Sequence, residues 1–323
     1  MTDALQSQSS WLRLDNTAKI FPPLVSRRYS SLFRFAFTTD APVRLATLRE
    51  ALDQTLSRLP YFRSRLRRGL FWYALQARGP RPTIQVDLRD PCLGFSRGRH
   101  RRDLVRVRVY NRTIAVETSH ILSDGTGTLA FARALVGRYL ELRDGVEFSD
   151  WGDMPHVGQD PDPAEWHDVT QSLPDSPVPA PERPSPAYHV PGKLLGAGRY
   201  SVTHGFVPTA EIRALARSWE ASVTELVLAV LFHSFQASMQ NRRTPLAPSR
   251  RKMVRVLVPV SLRNFVQART VRNFFAFVAP EFDPRLGIYS FSELLQFARD
   301  GMRRQLNWRQ ISQQLARNLR SER

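Results

Sequence analysis

The sequence predicts an α/β protein of two halves, each built from strands and helices. A run of aromatic residues over 31–39 alternates as a strand does, and leucines at helical spacing follow it over 45–59. The same change of periodicity returns in the later part of the chain. Between them, 151–191 is rich in proline and has no periodicity, which indicates a semi-rigid crossover linker. We therefore predict an N-terminal half over 1–150 and a C-terminal half over 192–323.

The N-terminal half is predicted to place a conspicuous histidine, His120, between a strand and a helix. Pro60 ends the first helix, and Arg68-Gly69 is suited to a tight hairpin turn. Residues 104–110 and 113–119 both alternate, so they form a second hairpin that ends at His120. The predicted elements are strands at 31–39, 62–67, 70–76, 83–87, 104–110 and 113–119, with helices at 45–59 and beyond Gly127.

The C-terminal half is predicted to repeat the mixture of strands and helices. Pro259 interrupts one of its apolar strands and cannot donate to a strand ladder, which indicates a sheet edge or a bulge there. The predicted elements are strands at 200–207, 255–262 and 273–282, with helices at 209–219, at 223–239 and from Ser290 onward.

Composition narrows the function classes. The net charge of +18 comes almost wholly from arginine, since Lys19, Lys193 and Lys252 are the only lysines among 47 basic residues. A genome-wide preference for arginine explains much of this excess, so we do not expect nucleic-acid binding as the primary role. The charge should nevertheless favour anionic partners, including the phosphates of coenzyme A.

The sequence also predicts a cytoplasmic protein without a metal or a disulfide. Cys92 is the only cysteine, and the histidines lack the spacing of metal ligands. The longest apolar run, 226–232, is far shorter than the roughly 20 residues that span a bilayer. Nothing at the N-terminus has the pattern of an export signal.

His120 and Asp124 are the candidate site residues, four apart and followed by Gly125. A neutral imidazole can accept a proton from a hydroxyl or an amine at physiological pH. A structural interpretation competes with this one: His120 ends a strand and bonds the backbone, while Asp124 caps the helix that follows. Residue types alone leave both interpretations open.

Segment 118–125 resembles the His-x-x-x-Asp-Gly signature of the chloramphenicol-acetyltransferase-like superfamily. That superfamily includes alcohol acyltransferases, plant acyltransferases and the condensation domains of nonribosomal peptide synthesis. Segments that resemble other parts of it occur in the same order, at 58–66, 223–229, 258–263 (Val-Pro-Val-Ser-Leu-Arg) and 272–275 (Arg-Asn-Phe-Phe). The opening segment 11–22 resembles bacterial members described as alcohol-acetyltransferase-like.

The resemblance implies two half-domains that meet along a tunnel, with mixed sheets flanked by helices. Full members of the superfamily are longer, which implies an incomplete C-terminal half. His120 would be the general base, and Asp124 would pair with an arginine, for which Arg263 is the first candidate and Arg63 the second. Gly125 would admit the close approach of the turn and of substrate atoms.

Candidate tunnel residues are Ser119, Ser123, Asn273 and Phe275. Phe274, Phe275 and Phe277 are candidates for an acyl pocket, although aromatic strand residues are more often plain core. No cofactor is expected to stay bound, and acyl-CoA or acyl-phosphopantetheine would be the co-substrate.

Three functions follow as hypotheses. The leading one is transfer of an acyl group from acyl-CoA to a small-molecule hydroxyl acceptor. The second is condensation with an amine, with the donor on an acidic carrier protein as the partner. Condensation domains generally have a second histidine where this chain has Ser119, which favours transfer to oxygen. The third is a non-catalytic binding protein that keeps the fold.

Overall fold

The computed structural model describes residues 11–26, 29–70, 72–77, 79–94, 103–173, 185–197, 199, 201–241 and 252–320, without the side chains of 318–320. Its contacts divide the chain into two compact units. The first comprises Met1–Leu173, Gly196–Tyr200 and Val266–Phe275, and the second comprises Pro174–Leu195, Ser201–Phe265 and Ala276–Arg323. Val266–Phe275, which sequence places in the C-terminal half, thus belongs to the first unit.

The described residues of the first unit form two sheets. Its elements are β1 (Trp11–Arg13), α1 (Phe21–Leu24), β2 (Leu32–Thr38), α2 (Leu45–Arg58), β3 (Arg65–Arg68), β4 (Tyr73–Gln76), β5 (Ile84–Val86), β6 (Val105–Tyr110), β7 (Thr113–Ser119) and α3 (Gly125–Asp144). One sheet has the order β2-β7-β6-β5 and is mixed, because β5 runs parallel to β6 while the other pairs are antiparallel. The other has the order β1-β4-β3 and is antiparallel.

Helices α2 and α3 supply much of the first unit's core together with the mixed sheet. Leu48, Leu52 and Leu56 of the predicted leucine stripe are each at most 3% exposed, and Phe131 and Leu135 of α3 are fully buried in the same cluster. The helical spacing thus correctly indicated one buried face. The predicted strand at 62–67 begins later, at Arg65, because Pro60–Arg63 forms a turn of 3-10 helix.

An ion cluster lies on the mixed sheet, around Glu117 of β7, which is fully buried. Its carboxylate accepts from Arg106 Nε at 2.6 Å and from Arg108 Nη1 at 3.1 Å, both on the neighbouring strand β6. Arg34 of β2 reaches the same carboxylate at 3.4 Å. The alternating arginines of 104–110 are therefore paired across the sheet rather than left in water.

The core of the second unit lies between two long helices, Val223–Gln240 and Phe291–Gln305. Its elements are α4 (Thr209–Ser218), α5 (Val223–Gln240), β8 (Val254–Arg255), β9 (Val258–Ser261), α6 (Arg263–Val266), β10 (Phe275–Val278), β11 (Glu281–Phe282), α7 (Phe291–Gln305) and α8 (Trp308–Arg320); α6 and β10 reach into the first unit. Strands β9 and β10 pair with each other, as do β8 and β11. Reciprocal capping boxes, Ser222 with Glu225 and Ser290 with Glu293, begin α5 and α7.

Three predictions for the second unit need correction. Residues 201–208 form no strand, and Val202, Phe206 and Val207 are more than half exposed, so the alternation there buries no face. The strand predicted at 255–262 is divided between β8 and β9. The strand predicted at 273–282 is broken at Ala279-Pro280 into β10 and β11, because proline has no amide hydrogen for the ladder.

Within the described ranges, no individual helix has the length and apolar composition needed to cross a membrane. The pair formed by α4 and α5 meets that test only when taken together, and it is bent by 81°.

Candidate active site

The turn that carries His120 is fixed where β7 ends beside β2. Leu32 pairs with Ser119 in the last register position, and the His120 amide donates to the carbonyl of Ser31 at 2.9 Å. The hydroxyls of Ser31 and Ser119 share a hydrogen bond of 2.8 Å. Ser31 adopts a φ of 55°, a left-handed conformation uncommon for residues other than glycine. The backbone on both sides of His120 is therefore held in place.

Three phenylalanine rings surround the imidazole of His120. Phe21 stacks on it at a centroid distance of 5.0 Å, Phe33 lies at 4.3 Å, and Phe275 lies at 6.3 Å. The residue is half-buried, and burial lowers the pKa of its imidazole below the ordinary value. The charge of Asp124 and the side-chain amide of Asn273 partly oppose that shift. The ring is thus kept neutral near pH 7.

The two ring nitrogens of His120 differ in their surroundings. Nδ1 is buried and finds no hydrogen-bond partner among the described residues. The residue as a whole is only half-buried, so another part of its side chain reaches the surface.

Asn273 joins His120 to a carboxyl group at the start of the chain. Its Nδ2 donates to the carbonyl of His120 at 3.0 Å and to both carboxylate oxygens of Asp15, at 3.3 and 3.1 Å. Asp15 and Asn273 are 1% and 2% exposed. Asn273, a predicted tunnel residue, therefore lies beside His120 and is engaged in the support of the turn.

Asp124 is held by backbone amides. One carboxylate oxygen accepts from Gly127 N at 2.9 Å and caps α3, and the other accepts from Phe274 N at 2.9 Å. The helix-capping interpretation of Asp124 is therefore confirmed. Arg63 donates to the carbonyl of Gly79 at 3.1 Å, and Arg263 donates to Ser261 Oγ at 3.4 Å. The pairing of Asp124 with an arginine stays a prediction.

The close approach that we predicted at Gly125 occurs two residues later. A Cβ added at Gly125 would meet no described atom within 4 Å, whereas one at Gly127 would lie 2.1 Å from the carbonyl oxygen of Val271. Only glycine fits against that carbonyl without movement of the backbone. The approach of substrate atoms to Gly125 stays a prediction, and the open space beside it is compatible with that role.

Ser119 and Ser123 both support the turn that carries His120, and their position along a tunnel stays a prediction. Ser119 is 2% exposed, and its hydroxyl bonds Ser31 and accepts from the amide of Ile121. Ser123 is fully buried and donates to the carbonyl of Val271 at 2.6 Å. Both hydroxyls are occupied in holding the turn.

Sequence reasoning missed Asp15, Arg272, Phe21 and Phe33. Arg272 is 5% exposed, donates to the carbonyl of Arg13 at 2.5 Å and lies 3.6 Å from the carboxylate of Asp15. Burial raises the pKa of Asp15 to about 6 against the lowering effect of Arg272. The sequence signal for Asp15 was Leu-Asp-Asn within segment 11–22. That segment resembles bacterial alcohol-acetyltransferase-like members, but the sequence analysis assigned no role to it.

Solved structures match this chain over nearly its whole length. The first condensation domain of the calcium-dependent antibiotic synthetase matches with a TM-score of 0.56 and 17% identity, over 92% of this chain and 75% of that one. Polyketide synthase associated protein 5 from Mycobacterium tuberculosis matches with a TM-score of 0.61 and 15% identity, over 93% and 74%. The X-domain from teicoplanin biosynthesis matches with a TM-score of 0.51 and 14% identity, over 96% and 75%.

Sequence comparison adds nothing to these matches, since no family model and no curated protein matches the chain. At identities of 14–17% the likeness establishes the fold. The expected fold class is thereby confirmed: this chain has the chloramphenicol-acetyltransferase-like fold, in the form found in condensation domains.

Proposed function

We propose that this chain transfers an acyl group from a thioester to a hydroxyl acceptor, with His120 as the general base. One observation carries the proposal: a half-buried imidazole with a lowered pKa, at a strand-to-helix turn held by hydrogen bonds, with its Nδ1 buried. A lowered pKa keeps the ring in its unprotonated form at pH 7, as a base requires.

In the proposed reaction, Nε2 takes the proton of the acceptor hydroxyl as its oxygen attacks the thioester carbonyl. The tetrahedral oxyanion then collapses, the carbon–sulfur bond breaks, and the thiolate recovers the proton from the imidazolium. The products are an ester and a free thiol, and no acyl-enzyme forms. Phe21, Phe33 and Phe275 would exclude water from the ring and so limit hydrolysis of the thioester.

Acyl-CoA is the leading donor, because its phosphates suit a chain of net charge +18. A second candidate is a donor on the phosphopantetheine arm of an acidic carrier protein. The likeness to condensation domains supports that candidate, and the same positive charge suits an acidic partner. Amines are the alternative acceptors in that case.

The first test measures free thiol released from acetyl-CoA and longer acyl-CoAs with a panel of alcohols and amines. We expect release that depends on the acceptor in the wild type and falls by roughly 10²- to 10⁴-fold in His120→Ala, the usual contribution of a positioned base. His120→Gln, which fills more of the space between the rings, should be equally impaired.

His204→Ala is the matched control, since His204 is an exposed histidine in a segment without regular structure. It should retain wild-type turnover. Equal turnover in wild type and His120→Ala would contradict the role of His120. Absence of turnover by folded wild-type protein with both CoA and carrier-bound donors would favour the non-catalytic binding protein.

A further inference from the structure

The buried polar atoms near the turn that lack hydrogen-bond partners among the described residues include Nδ1 of His120 and Oδ1 of Asn273. A buried polar atom without a hydrogen-bond partner costs free energy of folding, so each such atom in a native protein needs a physical explanation. The two residues already touch, because Asn273 Nδ2 donates to the backbone carbonyl of His120. The orphaned atoms thus belong to neighbours.

The orientation of the Asn273 amide is determined by its surroundings. Its nitrogen carries two hydrogens, and above the pKa of about 6 of Asp15 both face groups that can only accept: the ionised carboxylate of Asp15 and the carbonyl of His120. Turning the amide over would place its oxygen against these two acceptors, which is unfavourable. Nδ2 of Asn273 therefore has no hydrogen left to donate to the imidazole, and only Oδ1 can interact with the ring, as an acceptor.

Asp15 is itself fixed, which makes it a firm anchor. Its Oδ1 accepts from the amide of Ala18 at 2.7 Å, and the guanidinium of Arg272 lies 3.6 Å from Oδ2. The carboxylate is 1% exposed and cannot turn toward solvent. Asn273 thus has one supported orientation, with Oδ1 as an acceptor.

Resting on the proposed function, we propose that Asn273, held by Asp15, positions the neutral imidazole with its proton on Nδ1 and its lone pair on Nε2. In that state Nδ1–H donates to Oδ1 of Asn273, which satisfies both orphaned atoms at once. Nε2 is left as the base for the acceptor. The opposite tautomer would place two lone pairs, on Nδ1 and Oδ1, against each other.

In this arrangement, segment 11–22 contributes to the site through Asp15. Asp15 contacts no substrate and acts through Asn273, so both are positioning residues. The chain separates them by 258 residues, and the first unit brings them together. The amide of Asn273 also raises the pKa of His120 against the effect of burial, as an acceptor that faces the protonated ring does.

The test reads the tautomer of His120 directly, by long-range nitrogen–proton NMR correlation in protein labelled at histidine nitrogens, with His120 assigned from the His120→Gln spectrum. Wild type should show the Nδ1–H form above the pKa of the ring. In Asn273→Ala the population should shift toward Nε2–H. Asn16→Ala is the matched control, because Asn16 is a neighbouring asparagine that is 7% exposed, and it should leave the tautomer unchanged.

The Asp15→Asn variant tests the role of Asp15 separately from the contact between Asn273 and the imidazole. An amide at position 15 can donate as well as accept, which lets Asn273 turn over, so the Nδ1–H population should fall part of the way. An unchanged tautomer in Asp15→Asn would overturn the part assigned to Asp15. A wild-type spectrum of the Nε2–H form, or one that Asn273→Ala does not alter, would overturn the whole proposal.

Activity provides the second readout. With a working donor and acceptor, Asn273→Ala should lower kcat by roughly 10- to 100-fold, a part of what a positioned base supplies, with little change in KM. The tautomer measurement needs no substrate, and the wild-type spectrum is decisive even if the variant does not fold. An Nδ1–H tautomer that depends on Asn273, in a protein without turnover, would reject the proposed function and retain the positioning role.

Discussion

The folded protein compensates only in part for the burial of the ionised Asp15 carboxylate. Burial raises its pKa to about 6, while Arg272, Asn273 and the amide of Ala18 act in the opposite direction. Asp168 adds a smaller raising effect. A carboxyl group whose folded pKa exceeds its unfolded value of about 3.9 binds its proton more tightly in the folded protein. Its contribution to stability is therefore complete below about pH 4 and is lost as the pH rises through 6.

This linkage predicts a pH dependence that Asp15→Asn removes. The shift corresponds to a decline on the order of 3 kcal/mol in the free energy of unfolding between pH 4 and about pH 7. The asparagine variant does not titrate, so the difference between wild type and variant should change by that amount over that range. Urea denaturation at several pH values measures it. A difference that stays constant with pH would contradict a raised pKa at Asp15.

The first turn of α3 lies so close to the backbone of Val271 that a side chain does not fit at Gly127. Gly127 lies in its first turn, where a Cβ would come within 2.1 Å of the carbonyl oxygen of Val271. The Asp124 cap, the Ser123 hydrogen bond and this contact all connect the start of the helix to Val271–Phe274. Displacement of that segment would also displace Asn273.

We expect Gly127→Ala to destabilise the protein by about 1–3 kcal/mol, because overpacking forces the backbone apart. Gly125→Ala is the matched control, with open space at the Cβ position, and should change stability by less than about 1 kcal/mol. Thermal and urea denaturation of both variants tests this. Equal stability of the two variants would mean that the segment at Val271 moves aside freely.

At the scale of the whole molecule, the first unit depends on a segment remote in sequence. Val266–Phe275 supplies the partners of Ser123 and Asp124, and Val271 joins the core of that unit. The amide of Val271 also donates to the carbonyl of Glu165 at 2.5 Å, while the carboxylate of Glu165 accepts from Arg58 of α2 at 2.7 Å. Residues 1–173 alone would lose the hydrogen bonds that Val271 and Phe274 make with Ser123, Asp124 and the carbonyl of Glu165.

A fragment of residues 1–173 should therefore be less stable than the first unit within the intact chain. Its thermal transition should be broad or shifted to lower temperature, as followed by circular dichroism. Addition of a synthetic peptide of residues 264–277 should restore part of the stability, whereas the same peptide with Asn273→Ala should restore less. A fragment as stable as the intact protein would contradict this dependence.

The sequence by itself determined the local elements and the motif. Helical spacing predicted α2 and α5, alternation predicted β2, β6 and β7, and the turn between β7 and α3 was placed at His120. These depend on neighbouring residues, whose periodicity reports which face is buried. The strand predicted at 200–207 was wrong because alternation alone does not supply a buried face.

The tertiary structure decided what surrounds the histidine. Asp15, Phe21, Phe33 and Asn273 come from separate stretches of the chain, and no periodicity connects them. It also moved the need for glycine from Gly125 to Gly127, since a close backbone contact depends on which remote segment packs there. Local patterns fix the conformation of the turn, but burial and hydrogen bonding between distant segments fix its chemistry.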